Sequence, residues 1–229
     1  MKKCCVFITK LVLALVLLIL QTSTHPQATH LELAPKKILI LGNSITKHLP
    51  DQSIGWNGNW GMAASSEDKD YVHLLIKKMK IEDVSTEIRY SNVAQSFERK
   101  FWVYDSSIVN EFKNYHPDLI IFRLGENIKS DSTKKYSLCD NLLTLSDKLS
   151  SNKPTRIIIT SRFWPDKIID TEMRNCAATN KWGFVNISDL FAHKQNTAQG
   201  KFINNGVSIH PSDEGMEMIF LKIYAAIKN

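Results

Sequence analysis

Short apolar runs alternate with longer stretches of helical period along most of the chain. Lys37–Leu41, Thr86–Tyr90, Leu119–Leu124, Arg156–Thr160 and Gly183–Ile187 are brief, rich in Ile, Val, Leu and Phe, and bounded by polar or Gly/Pro breaks. Such runs read as buried strands. Between them lie segments whose apolar residues recur every three to four positions. Ser66–Lys80 opens on a serine able to cap, carries polar Lys69 and Asp70, and sets Tyr71, Leu74, Leu75 and Met79 on one face. Ser107–Tyr115 is stopped by His116-Pro117, and Tyr136–Ser150 by the break at Asn152-Lys153-Pro154. Asp166–Asn180 and Glu214–Ile227 complete the set, the last with Met218, Ile219, Ile223 and Ile227 on its apolar face. Strands alternating with helices predict a parallel sheet covered on both faces, an α/β three-layer α/β/α sandwich. For five strands the flavodoxin-like order 2-1-3-4-5 is expected. Under it the ends of the first and third strands and the final loop converge on one rim.

The N-terminus follows another pattern. Lys2 and Lys3 precede a wholly apolar run, Leu11–Leu20, and polar Gln21-Thr22-Ser23-Thr24 follows. This is the layout of a secretory signal peptide. Residues 1–25 are therefore read as a signal, with an uncleaved anchor as the alternative if Lys10 snorkels. Residues 26–36 are read as an N-terminal tail and 37–229 as one domain. The expected location is secreted or periplasmic. Of 29 basic residues, Lys2, Lys3 and Lys10 belong to the signal, so 26 remain against 23 acidic, a net charge of +3. That balance, with no basic cluster interleaved with aromatics, argues against a nucleic-acid partner. No membrane contact is expected once the signal is removed. Hydrophobic content of 43% and charged content of 23% are those of a globular domain. Cys139 and Cys176 remain in the mature chain; a disulfide and two buried thiols are both open readings.

Candidate chemistry sits where strands end. Gly42-Asn43-Ser44 follows the first, Gly125-Glu126-Asn127 the third, and His210-Pro211 opens the last helix. Ligands bind at the carboxyl ends of strands in open α/β sheets. A serine there is a candidate nucleophile, although serine is also a common helix cap. A serine hydroxyl needs a base to take its proton, and His210 is the candidate.

These three segments, in order and at these positions, resemble the SGNH (GDSL-type) hydrolases, a superfamily of esterases. The resemblance runs from Lys37 to the C-terminus. Gly42-Asn43-Ser44-Ile45-Thr46 followed by Gly55-Trp56-Asn57-Gly58-Asn59-Trp60-Gly61-Met62 is also similar to one group of secreted bacterial members. The resemblance implies Ser44 as nucleophile, His210 as general base, and Asn127 with the Ser44 N–H as oxyanion donors. Four departures stand out. Asn43 replaces the aspartate of Gly-Asp-Ser, and Ile128 the aspartate after Asn127. The second block, Ser91–Ser96, lacks the family's glycine, so its backbone donor is sought at Ala94 or Ser96. Val207 occupies the position of the triad aspartate, three residues before His210. Asp213 and Asp189 are candidate replacements, and a backbone carbonyl could also hold the imidazole; for Asp213, helix capping competes.

Trp56 and Trp60 are candidate platforms for a sugar ring, and Arg162 a candidate partner for an acidic sugar or carboxylate. Trp164, beside Pro165, has loop packing as an equal reading, and Arg123 is expected to pair internally. Neither metal-ligand spacing nor a phosphate-binding loop is present, so no cofactor is expected. The reading is a secreted serine esterase removing acyl groups, foremost O-acetyl, from a carbohydrate or another small ester. The alternative is a weak or inactive glycan-binding protein of the same fold.

Overall fold

The computed structural model describes residues 34–103, 105–150 and 153–229. The expected signal segment and residues 26–33 of the tail lie outside them. The described chain is an α/β sandwich around a five-stranded, all-parallel sheet of order 2-1-3-4-5. Its strands are β1 (Lys37–Gly42), β2 (Glu87–Asn92), β3 (Leu119–Phe122), β4 (Arg156–Thr160) and β5 (Gly183–Val185). The expected architecture and strand order hold. β1 is central, pairing with β2 on one side and β3 on the other.

Alternation along the strands builds two cores. Leu39, Leu41, Ile120, Phe122, Ile157 and Ile159 face one side. They pack with α2 (Ser106–Phe112), α4 (Leu138–Ser150) and α5 (Lys167–Asn180). Ile38, Ile40, Leu119, Ile121 and Ile158 face the other, against α1 (Tyr71–Glu82) and α7 (Asp213–Lys228). Successive side chains on a strand point to opposite faces. A continuous Ile/Leu run is therefore what a strand covered on both sides requires.

Element ends differ from the expected ones for local reasons. Ser66 opens only a 3₁₀ turn, Glu67–Lys69, and α1 begins at Asp70, whose carboxylate caps His73 N–H. Polar Asp70 is fully buried; it also accepts from Gly61 N–H and so ties the long loop to α1. The third strand stops at Phe122, two residues short, because the chain turns at Gly125 with φ 126°. Two short helices, α3 (Ser130–Thr133) and α6 (Asn205–Ser208), carry too few residues to leave a periodic signal. No helix among the described residues is long and apolar enough to cross a membrane.

Cys139 on α4 and Cys176 on α5 form a disulfide closing a sequence separation of 37. In the chain-entropy picture such a loop constrains the unfolded state by about 4 kcal/mol. Replacing both with alanine is expected to lower unfolding stability by roughly 2–4 kcal/mol in denaturant titration. The double variant should also lose the wild type's sensitivity to reductant.

Candidate active site

The site begins with a turn made by three side chains. A Cβ on Gly42 would lie 1.8 Å from Thr46 Oγ1, so only glycine lets the chain fold back here. Thr46 Oγ1 is fixed by the Tyr71 hydroxyl at 2.6 Å. Asn43 then locks the turn. Its carbonyl accepts from Thr46 N–H and Lys47 N–H, and its Oδ1 accepts from Ile45 N–H. Ser44 projects from this turn, and its own backbone N–H has no hydrogen-bond partner among the described residues.

His210 arrives from the opposite end of the chain. Ala198 N–H bonds the His210 carbonyl, Ser212 N–H bonds the Asn196 carbonyl, and Thr197 bridges Pro211. These contacts clamp the loop before α7. The His210 ring is only 8% exposed, with Trp164 packed edge-on at 4.8 Å between centroids. Trp164 is anchored by its indole N–H on the Ile209 carbonyl, so it walls the imidazole while remaining partly exposed.

His210 Nε2 lies 2.9 Å from Ser44 Oγ, and Nδ1 lies 2.6 Å from the Gly206 carbonyl oxygen. A carbonyl only accepts, so Nδ1 carries the proton and Nε2 presents its lone pair to the Ser44 hydroxyl. The Gly206 carbonyl comes from α6, a four-residue helix. Carbonyls at such an end lack intrahelical partners, and the imidazole N–H supplies one. Burial pushes the His210 pKa down to about 4, against the raising effect of the Gly206 bond.

The candidate acids are elsewhere. Asp213 makes both its hydrogen bonds to Ser65, at the backbone N–H and the hydroxyl. The cap of α7 is Ser212, which accepts from Gly215 N–H. Asp189 pairs with Lys222. Val207 packs with Trp56, Met62 and Ala198 in an apolar cluster, where a carboxylate would be buried.

Asn127 sits on a polar network under the site that the sequence reading missed. Its Nδ2 donates to Glu98 Oε2 at 2.6 Å, which leaves one hydrogen on that nitrogen unbonded. Glu98 Oε1 accepts from Gly125 N–H at 2.5 Å and from Asn43 Nδ2 at 3.0 Å. The second hydrogen of Asn43 Nδ2 goes to Glu126 Oε2 at 2.6 Å. Arg123 donates from Nη1 to both Glu126 oxygens at 2.7 Å, and Glu126 also accepts from Phe163 N–H. Arg123 thus pairs internally, as expected. All four of Asn43, Glu98, Glu126 and Arg123 are buried. Burial, and then the Glu126 charge, push the Glu98 carboxyl above the usual range. Burial is the largest influence on Glu126 and would raise it, but the Arg123 guanidinium, the Phe163 N–H and the Asn43 amide together hold Glu126 below that range.

Ser44, Asn127 and His210 line one open cleft of about 510 Å³. Leu49, Ile54 and Met62 give it an apolar wall, and Asn92, Gln95 and Arg99 a polar one. Ala94 lines it as well, but its N–H is already bonded to Asn92 Oδ1. The adjacent Gln95 N–H has no partner among the described residues and fits the backbone-donor role better. Trp56 and Trp60 are not on the cleft. Trp56 is buried, donates to the His48 carbonyl and stacks edge-on against Trp60, whose indole bonds the Ala64 carbonyl. Both hold the long loop together. Arg162 pairs with Asp166 and lies against Gly125, so the cation at the cleft is Arg99 instead. Among the described residues no group of His, Cys, Asp or Glu is arranged to hold a metal ion.

The network explains Asn43. An aspartate there would set a third carboxylate between Glu98 and Glu126 with one guanidinium to balance them. Asn43→Asp is expected to cost about 3 kcal/mol of stability at pH 8, the scale of an uncompensated buried charge. The new carboxyl would have its folded pKa raised above its unfolded value. The loss should therefore shrink as pH falls toward 5, where it takes up a proton. Denaturant titrations at the two pH values check both the size and the sign.

No protein-family model matches the chain, and no curated protein matches it. Solved structures do. A two-domain esterase active on acetylated mannans, co-crystallised with mannopentaose, superposes with a TM-score of 0.53 at 17% identity. The match covers 84% of this chain and 49% of that one, so the chain spans about half the length of the two-domain esterase. A GDSL-like lipase structure from Bacteroides uniformis superposes with a TM-score of 0.53 at 16% identity, covering 83% of this chain and 94% of that one. At these identities the likeness is one of fold alone, shared with structures described as an esterase and a GDSL-like lipase.

Proposed function

We propose that the protein is a serine esterase that works through a Ser44–His210 pair oriented by a backbone carbonyl. The observation that carries this reading is the chain of contacts Ser44 Oγ, His210 Nε2, His210 Nδ1, Gly206 O. Ser44 Oγ attacks the acyl carbonyl while His210 Nε2 takes its proton. The oxyanion is met by the Ser44 N–H and the remaining Asn127 amide hydrogen. His210 then returns the proton to the departing alkoxide, leaving an acyl-enzyme. Water attacks that ester, gives its proton to His210, and the carboxylic acid leaves as Ser44 is reprotonated.

A carbonyl fixes the tautomer as a carboxylate does, but it supplies only a dipole to the imidazolium. Turnover should therefore be slower than with a full triad, because the imidazolium lacks a carboxylate charge beside it. An acetyl ester on a carbohydrate is the substrate we favour. The cleft is open, its wall mixes apolar and polar side chains, and a structural neighbour acts on acetylated mannans. Export, argued from the N-terminal apolar run, accords with the Cys139–Cys176 disulfide.

Hydrolysis of p-nitrophenyl acetate tests the reading. Ser44→Ala and His210→Ala should each abolish turnover, and Asn127→Ala should lower kcat by about 10²–10³. Asp213→Asn should lower thermal stability while leaving the rate within a few-fold. Wild-type activity equal to Ser44→Ala across several acyl lengths would sink the esterase and favour a glycan-binding protein.

The pH dependence is a separate check. The base must be neutral, so kcat/KM should rise through an apparent pKa near 4 and then level off. An acid limb at the ordinary histidine value of about 6.5 would mean that burial does not govern the ring.

A further inference from the structure

The polar wall of the cleft has a charge pattern that the esterase chemistry does not use. Arg99 and His48 line it, and not one of the lining residues is Asp or Glu. Among the described residues no carboxylate pairs with the Arg99 guanidinium. The side chain is exposed, yet its backbone is not loose. It belongs to the 3₁₀ turn Glu98–Lys100, and its N–H bonds the Ala94 carbonyl. The preceding residue, Glu98, is buried and takes three hydrogen bonds in the network beneath Ser44. One turn therefore drives a carboxylate inward and sets a guanidinium at the cleft. Beside it, Gln95 is exposed and its side chain has no hydrogen bond among the described residues. Asn92, by contrast, is spent on Lys47 O and Ala94 N–H. A planar fork of donors in a cleft without acidic groups suits a carboxylate, which it grips bidentately.

We propose that the cleft selects esters whose alcohol part carries a carboxylate, such as an acylated acidic sugar, with Arg99 as the specificity-determining cation. The inference rests on the esterase reading for its substrate, but its charge preference is testable apart from turnover.

Two measurements separate the claims. The first compares hydrolysis of 3- and 4-acetoxybenzoate with that of the corresponding acetoxybenzamides, which differ mainly in the charge. Wild type is expected to favour a carboxylate about tenfold in kcat/KM, and Arg99→Gln to bring that ratio near one, the range of a charge-assisted hydrogen bond in a half-open site. The preference should also fade at high ionic strength. The second measures binding of 3- and 4-acetamidobenzoate, and of their amides, to Ser44→Ala with and without Arg99→Gln. These ligands keep the acyl group on a linkage the site does not cleave. Tighter carboxylate binding that disappears with Arg99→Gln supports the proposal even if no ester is turned over. Equal binding of acid and amide, or a preference that survives Arg99→Gln, overturns it and leaves the esterase reading untouched.

Discussion

The arrangement depends on the buried amide of Asn43. Its nitrogen has two hydrogens, and each goes to a different buried carboxylate, Glu98 and Glu126. Its oxygen and its carbonyl close the turn that presents Ser44. The neutral side chain thus joins the nucleophile's turn, the segment after β2 and the segment after β3. A buried polar group is tolerable only when its partners are complete. Here every hydrogen of the amide is used, while only Arg123 offsets the charge of the two glutamates. Because Glu98 also fixes Asn127, a displacement at Asn43 would be felt at both Ser44 and Asn127.

The sheet was legible because its physics is local and repetitive. Strands covered on both faces must be apolar at every position, so Ile38-Leu39-Ile40-Leu41 and Ile157-Ile158-Ile159 announce themselves. Parallel order and short connections then leave few topologies. Ser44, Asn127 and His210 were legible for a related reason. They stand at strand ends or before the last helix, where the fold delivers side chains to one rim. The network beneath them was not. Glu98 lies in a loop with no period, and nothing in its neighbours marks a carboxylate as buried. Arg123 and Glu126, three apart at the end of an apolar strand, were the one available signal. The aromatic residues misled because Gly-Trp and Asn-Trp describe composition equally well for a binding platform and a packed loop. The 48–62 loop has few aliphatic residues of its own, and Trp56 and Trp60 supply its core.

The orienting group of His210 could not be found by searching for acids, since it is an atom of the main chain. A motif position filled by Val207 invites a hunt for a displaced aspartate. The structure instead turns Val207 into packing beneath the cleft and offers the carbonyl one residue earlier. The two facts belong together. A short helix whose apolar side chain is buried presents its unfilled carbonyls on the other side, and the histidine loop is clamped within reach of one. Orientation is thereby kept while the full negative charge is given up.

That exchange has an electrostatic consequence for the whole rim. With no acid against the imidazole and both nearby glutamates committed beneath the turn, the cleft surface is left with uncharged donors and with Arg99. An aspartate of the usual kind would lower the potential there and repel an anionic substrate close to the reacting carbon. The carbonyl does neither. A dipole-oriented histidine and a cationic wall are therefore compatible features, whereas a carboxylate triad beside the same wall would partly cancel it. In the proposed esterase, weaker charge stabilisation at His210 and a surface open to anions would both follow from the same missing charge.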